Sequence, residues 1–218
     1  DHWKAGIAGP VKHAAIFDGE TYDARELPGY AVPDKLDRPE LNAEYEGGIF
    51  PSRGAEVYLR KDLALSPVQA YVWNGVEGAA DDAYGKVNIL REYADGQTIT
   101  LSPGETLVMD FGQNAAAVPL FEFKAAEGTV LTCLPGELLN DGNGAKSRGM
   151  DGPEGSCHRT NLRAHMEPGI LMQYTFAGSS DYECYHPTRT FYGYRFVSAT
   201  ATDEVHIRSL KSIPATSI

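Results

Sequence analysis

Residues 105–139 read ETLVMDFGQNAAAVPLFEFKAAEGTVLTCLPGELL, and apolar and polar side chains alternate through three successive runs of this stretch. The first run ends in a polar break at 112–114, the second spans 118–124, and the third spans 129–134. Alternation with a period of two places every second side chain on one face of a half-buried strand. The stretch therefore predicts an antiparallel meander of three strands, and the side chains expected inside are Leu107, Met109, Phe111, Phe121 and Phe123.

The same strand rhythm recurs along most of the chain after Pro67, and no segment sustains the 3.6-residue period of a helix. Only two sheets packed face to face can bury alternate residues of so many strands. The sequence therefore predicts an all-β fold with little helix, namely an antiparallel β-sandwich over 67–218. Besides the meander, strands are expected at 67–74, 86–93, 98–102, 171–176, 182–186, 190–200 and 204–210.

The first 66 residues have a different character. The apolar pair Ile16-Phe17 ends at Asp18-Gly19, which is a strong turn signal, whereas prolines interrupt every run between 26 and 67. We assign residues 1–66 to the end of an N-terminal β domain and a Pro-rich connector. Residues 1–25 are expected to form a strand or hairpin against the sandwich, because an apolar edge at Ile16-Phe17 must be covered.

The charge and composition of the chain argue against some classes of binding partner. A formal net charge of -11, with Lys and Arg scattered, argues against nucleic acid and anionic membrane surfaces, and no apolar run reaches the roughly 18 residues that span a bilayer. No secretory signal opens the chain, but a signal can have been removed, and we favour a periplasmic or secreted protein over a cytoplasmic one. The three cysteines form no CxxC pair and predict no metal site.

Several short motifs resemble one family. They include Asp110-Phe111-Gly112-Gln113-Asn114 and Thr190-Phe191-Tyr192-Gly193-Tyr194-Arg195-Phe196. Between them lie Gly136-Glu137-Leu138-Leu139-Asn140-Asp141-Gly142, Ser147-Arg148-Gly149 and Tyr174-Thr175-Phe176-Ala177-Gly178. In this order and spacing they resemble the bacterial α-L-rhamnosidases of glycoside hydrolase family 78. The segment 16–25 likewise resembles the closing strand of that family's N-terminal domain.

The resemblance implies a concanavalin-like, jelly-roll type β-sandwich that precedes the family's catalytic domain. The family's catalytic carboxylates lie in an (α/α)6 barrel further along the chain, so no catalytic residue carries over to this sequence. We therefore expect a non-catalytic portion of an α-L-rhamnosidase that packs against the catalytic barrel of the same parent chain and shapes it. Two alternatives stay open: a free-standing carbohydrate-binding module for rhamnose-containing glycans, and an independent small hydrolase.

Three aromatic residues are candidates for carbohydrate contact. Tyr71 and Trp73 share one face of a predicted strand and could stack on a sugar ring, although bulky aromatic side chains more often face inward. Trp3 is a third candidate, with a core or interface position as the alternative. No catalytic role is expected for any residue.

The glycine-rich segment 140–156 is the other candidate region. Its length predicts either a loop that reaches toward the catalytic barrel or a tolerated surface insertion. Within it, Arg148 could hold a hydroxyl pair or a carboxylate in its guanidinium fork, and Asp151 is a further carbohydrate or interface candidate. Nearby carboxylates such as Glu137 and Glu154 are interpreted as solvated surface groups rather than a hydrolase pair.

The same segment contains part of a metal-binding motif. Asp141-Gly142-Asn143-Gly144 resembles the start of a calcium loop, but an EF-hand requires different residues at 145, 146 and 152. Asp141 and Asn143, together with Asp151, are weak candidates for calcium, and no other cofactor is expected.

Overall fold

The computed structural model describes residues 9–26, 51, 54, 56–144, 149–162 and 169–217. Nearly all regular structure in these residues is strand, and the helical structure among them is limited to single 3-10 turns at Ala24–Glu26 and Lys61–Leu63 and to the 3-10 residue Gly144. The prediction of an all-β fold with little helix is confirmed. The strands are β1 (Val11–Ala15), β2 (Gly19–Asp23), β3 (Tyr58–Leu59), β4 (Gln69–Glu77), β5 (Lys86–Tyr93), β6 (Ile99–Leu101), β7 (Thr106–Ala125), β8 (Val130–Gly136), β9 (Leu171–Thr175), β10 (Glu183–Tyr185), β11 (Tyr192–Ala201) and β12 (Val205–Thr216).

The long strand β7 connects two parts of the sheet. Its first part, through Asp110, lies between β4 and β11. Its last part begins at Ala117. On the side occupied by β4 in the first part, it pairs with β12; on the other side, it pairs first with β11 and then with β10. Because one neighbour changes from β4 to β12 along a single strand, the hydrogen-bonded network divides there into two parts that curl toward each other.

The predicted three-strand meander is wrong in two respects. Residues 112–114 do not end a strand, because β7 continues through them, and β8 pairs with β9 and β11 rather than with β7. The predicted turn is instead a local bulge: Asp110 and Ala115 are five residues apart on β7, but their partners on β11 are only two apart. Gly112 adopts a φ of 75° in this bulge, a conformation that glycine reaches without steric cost.

The two parts of the sheet enclose the main core, which contains the five side chains predicted to lie inside, each at most 3% exposed. An aromatic cluster shows that the two parts face each other. Phe123 on β7 lies 4.6 Å from Tyr174 on β9, measured between ring centroids, although these strands are not hydrogen-bonded neighbours. Phe176 and Tyr185 complete the cluster against Tyr174. Such face-to-face burial of alternate residues is the arrangement expected of a sandwich.

The N-terminal hairpin belongs to the same sheet. β1 pairs with β2, and β2 pairs in parallel with β9, which confirms the predicted hairpin for the described residues 9–26 and adds a parallel pair of strands to the sheet. The expectation that Ile16 and Phe17 are covered is wrong, because both lie at the exposed hairpin turn. Glu20 on β2 is fully buried. Its carboxylate accepts hydrogen bonds from the Tyr185 hydroxyl and from the backbone amides of Thr188 and Arg189. The division of the chain at residue 66 stays a prediction.

Among the described residues, no helix is long and apolar enough to cross a membrane.

Candidate functional site

The outer face of the sheet carries a second, smaller apolar cluster, which we call the outer cluster. It lies on the opposite side of β4 and β7 from the main core. Its buried members come from four strands, with three half-buried side chains around them. The buried members are Tyr71, Val87, Val108 and Phe196, and the half-buried ones are Trp73, Leu139 and Cys157.

The described residues that follow β8, 137–144 and 149–162, cover the outer cluster, and we call them the covering segment. Its backbone pairs with itself through Asn140 and Ser156, whose amide-to-carbonyl distance is 2.8 Å. It also pairs with the start of β5, since the Val87 amide donates to the Glu154 carbonyl at 3.0 Å. The Tyr71 hydroxyl donates to the Gly155 carbonyl at 2.5 Å. In its described part, the glycine-rich segment is therefore held against the sheet rather than extended from it.

Asp151 fixes this covering segment from within. One carboxylate oxygen accepts from the Asn140 side-chain amide at 2.9 Å, and the other accepts from the backbone amides of Arg159 and Thr160, each at 2.7 Å. Burial acts to raise the pKa of Asp151, but these hydrogen bonds outweigh burial and lower it. His158 Nδ1 lies 3.3 Å from the same carboxylate without a hydrogen bond. The carboxylate is thus occupied by the protein's own donors.

Arg159 ties the covering segment to the end of the main core. Its guanidinium donates to the Pro135 carbonyl and, at 2.8 Å, to the Ile170 carbonyl. Burial lowers the pKa of this arginine. A cation in this position adds a side-chain link between β8 and the residue that precedes β9, beside the backbone hydrogen bonds that already pair the two strands.

Two of the family-like motifs meet at the bulge of β7. The guanidinium of Arg195 donates to both oxygens of Asp110, each at 2.7 Å, and the Gly112 amide donates to the same carboxylate at 2.6 Å. Burial acts to raise the pKa of Asp110, but these donors lower it. These hydrogen bonds give both motifs a structural explanation. The Asp110 carboxylate accepts from the Gly112 amide and so supports the backbone of the bulge, and Arg195 holds that carboxylate in place.

The structure separates the aromatic candidates. Tyr71 is 4% exposed beneath the covering segment, so its ring offers no face on which a sugar could stack. Trp73 is half-buried beside it, and no described residue accepts a hydrogen bond from its buried indole nitrogen. Trp3 and Arg148 lie outside the described residues.

In the described part of the chain, no group of three His, Cys, Asp or Glu side chains is arranged to hold a metal ion, and calcium binding by Asp141 and Asn143 stays a prediction. The Asp141 carboxylate accepts from the Asn143 amide at 3.0 Å, as in an Asx turn. Asp151 is committed to the contacts described above.

Sequence reasoning missed three charged residues that organise the fold: Glu20, Arg159 and Arg195. The presence of two carboxylates, Glu20 and Asp23, within the strand-like run 19–23 was only a weak signal for a buried charge. Nothing near Arg159 or Arg195 in the sequence points to the distant carbonyls and carboxylate that they contact.

More than half of the chain matches a known protein family. Residues 99–216 match the family model described as the bacterial alpha-L-rhamnosidase concanavalin-like domain. The chain belongs to this family. The rhamnosidase-type sandwich predicted from the motifs is therefore confirmed, and its matched region extends from β6 to the end of β12.

Curated relatives are much longer than this chain. An alpha-L-rhamnosidase of Alteromonas sp. (strain LOR) is 27% identical over 205 residues, which is 94% of this chain and 18% of the relative. An alpha-L-rhamnosidase of Streptomyces avermitilis is 27% identical over 199 residues, or 91% of this chain and 15% of the relative. The chain thus spans less than a fifth of the length of these relatives.

Solved structures show the same fold. The alpha-L-rhamnosidase from Dictyoglumus thermophilum superposes with a TM-score of 0.59 at 18% identity, over 96% of this chain and 19% of that one. The Streptomyces avermitilis alpha-L-rhamnosidase complexed with L-rhamnose gives a TM-score of 0.58 at 22% identity, over 95% of this chain and 17% of that one.

Proposed function

We propose that this chain is the non-catalytic β-sandwich portion of an α-L-rhamnosidase. In this proposal the parent enzyme hydrolyses terminal α-L-rhamnosyl residues, and the sandwich packs against the catalytic barrel of the same parent chain and shapes it. The observation that carries the proposal is the coverage: the relatives match almost all of this chain, yet the matched part is less than a fifth of each relative.

The carboxyl groups of the described residues support a structural role. A glycosidase of the usual type needs a proton-donating carboxylic acid whose pKa is raised. In the described part of the chain, every carboxyl group with a shifted pKa is shifted downward. Those of the shifted groups that are also buried, Asp23, Glu105 and Asp110, are each held by an arginine side chain. Such groups stay ionised near neutral pH and are poor proton donors.

A hydrolysis assay tests the proposal. Two purified proteins are compared on p-nitrophenyl α-L-rhamnoside: the 218-residue chain and the longer product of the same reading frame. We expect the longer protein to release nitrophenol and the 218-residue chain to release none above buffer. Release by the 218-residue chain itself would refute the non-catalytic role, and an inactive longer protein would refute the rhamnosidase assignment.

The module alternative is tested separately by titration calorimetry of the 218-residue chain with rhamnose and rhamnogalacturonan fragments. Heat that fits millimolar or tighter binding would favour a carbohydrate-binding module. We expect no binding heat, because Tyr71 offers no exposed stacking face.

A further inference from the structure

An apolar groove opens at the tip of the N-terminal hairpin, beside the start of β11. Its volume is about 220 Å³. Side chains from the hairpin turn, from β8, from the segments around β9 and from the approach to β11 line it, and those used below are Ile16, Phe17, Pro135, Leu162, Ile170 and Phe191. We call this feature the hairpin groove.

Large apolar side chains at this groove face solvent. Phe17 is 64% exposed, Ile16 is 55% exposed and Phe191 is 43% exposed. Single exposed apolar residues are common on protein surfaces and need no explanation. Here three of them lie around one concave apolar surface, which makes that surface a candidate for an interaction site.

Hydrogen bonds hold the groove walls in place. The Thr190 hydroxyl donates to the Ile16 carbonyl at 3.2 Å, which fixes the hairpin tip against the approach to β11. On the opposite side, Arg159 bridges the carbonyls of Pro135 and Ile170. A groove whose walls are already ordered loses little conformational entropy when it is filled, and preorganisation of this kind favours binding.

The lining chemistry favours an apolar side chain over a sugar. Small-molecule sites usually enclose about 300–1,000 Å³ and present a few precisely placed polar groups. The hairpin groove is smaller, and the hydroxyl of Tyr192, which also lines it, already donates to the Leu171 carbonyl at 3.1 Å. Few hydrogen-bond donors are left here to recognise the hydroxyl groups of rhamnose.

The end of β12 lies close to this groove. Pro214 on β12 pairs with Ala117 on β7, and Ala117 pairs on its other side with Tyr192 on β11. Because neighbouring strands are about 4.8 Å apart, Pro214 and Tyr192 are separated by about 10 Å across the sheet. Beyond Pro214, β12 runs for two further residues in the direction of Tyr194, so polypeptide that follows Thr216 in the parent enzyme begins about 15 Å from Phe191.

We propose that the hairpin groove receives an apolar side chain from the polypeptide that follows β12 in the parent rhamnosidase, so that this end of the sandwich is the contact with the catalytic domain. The inference rests on the proposed function, which supplies the following domain. A short covalent connection raises the effective concentration of the occupant to the millimolar range, so a small groove is sufficient for docking.

Hydroxyl-radical footprinting with mass spectrometry tests the proposal. Oxidation of Phe17 and Phe191 is compared between the 218-residue chain and the longer product of the reading frame, with Tyr84 as internal control because it is 41% exposed and lies between β4 and β5. We expect several-fold slower oxidation of both phenylalanines in the longer protein, and no change at Tyr84. Equal oxidation in the two proteins would overturn the proposal.

Two further observations identify the occupant. If Phe17 and Phe191 in the 218-residue chain become protected as its concentration rises, a second copy fills the groove and the proposal fails. The double variant Phe17→Ser/Phe191→Ser should lower the Tm of the longer protein by several degrees and leave that of the 218-residue chain nearly unchanged. The control Tyr84→Ser should leave the Tm of both proteins nearly unchanged. If the double variant lowered the Tm of the two proteins equally, docking would be contradicted.

Failure of the docking proposal can be distinguished from failure of the proposed function. A longer protein without rhamnosidase activity but with protected phenylalanines would refute the enzyme assignment and retain the docking surface. An active rhamnosidase in which both phenylalanines stay as reactive as in the 218-residue chain would retain the assignment and refute the docking surface.

Discussion

The two faces of the sheet around β4, β7 and β11 are buried in different ways. The inner face packs against the other part of the sheet, and its side chains come from strands distributed along most of the described sequence. The outer face is covered by one segment with few apolar residues, which is held by Asp151 and by the Tyr71 hydroxyl. Apolar burial therefore dominates on the inner face, whereas on the outer face polar contacts act together with the half-buried Leu139 and Cys157 to hold the covering segment.

The largest effect is expected for Phe123→Ala in the main core. Phe123 is fully buried among Phe121, Tyr174 and Phe176, so truncation removes apolar burial and leaves a cavity. The free energy of unfolding should fall by about 3–5 kcal/mol. Urea denaturation followed by circular dichroism measures it. A loss no larger than that of Tyr71→Phe would contradict the distinction between the two faces.

A smaller and more local effect is expected for Asp151→Ala. The backbone amides of Arg159 and Thr160 and the Asn140 side chain lose their acceptor, which costs about 1–3 kcal/mol for donors that stay poorly solvated. Hydrogen exchange should accelerate over 150–162 and stay unchanged in β9 and β12. Asp203→Ala, at an exposed turn, is the control. Uniformly faster exchange would show that the two faces unfold together.

Removal of one hydroxyl should have a still smaller effect. Tyr71→Phe keeps the ring in the outer cluster but deletes the hydrogen bond to the Gly155 carbonyl. We expect a loss of about 0.5–1.5 kcal/mol, with faster exchange confined to the amides around Gly155. Tyr84→Phe is the exposed control. If Tyr71→Phe stabilised the protein, the Tyr71–Gly155 contact would not hold the covering segment.

The smallest effect is expected for the exposed ion pair between Lys86 and Glu154, whose charged atoms lie 3.0 Å apart. Both side chains are about half or more exposed, so Glu154→Ala should cost only about 0–1 kcal/mol. The difference should shrink further at high salt because exposed charges are screened. Thermal unfolding at low and high salt measures it. A loss as large as that of Asp151→Ala would show that surface charge, rather than the buried carboxylate, holds the covering segment.

Some sequence expectations failed for a physical reason. The polar residues 112–114 indicated the end of a strand, because glycine and amide side chains are typical of turns. The chain does turn locally at Gly112, but β11 supplies pairing partners on both sides of the bulge. Those partners lie about 80 residues away in the sequence, so local reasoning could not show that the strand continues.

The candidate site was less predictable than the fold. The sequence placed Tyr71 and Trp73 on one strand face, and both belong to the outer cluster. It could not show that a segment near residue 155 covers Tyr71, because that contact joins positions far apart in the chain. The hairpin groove was equally hidden, since its walls come from segments separated by more than a hundred residues.

By itself, the sequence determined the all-β class and the five core side chains between Leu107 and Phe123, and its motifs indicated the rhamnosidase family. These features follow from alternation and short motifs, which are local properties of the chain. Only the tertiary structure decided which strands are neighbours, how β7 joins two parts of the sheet, and where Glu20, Arg159 and Arg195 find their partners. Strand pairing and buried charge contacts join distant residues, and their free energy depends on a geometry that exists only once the chain has folded.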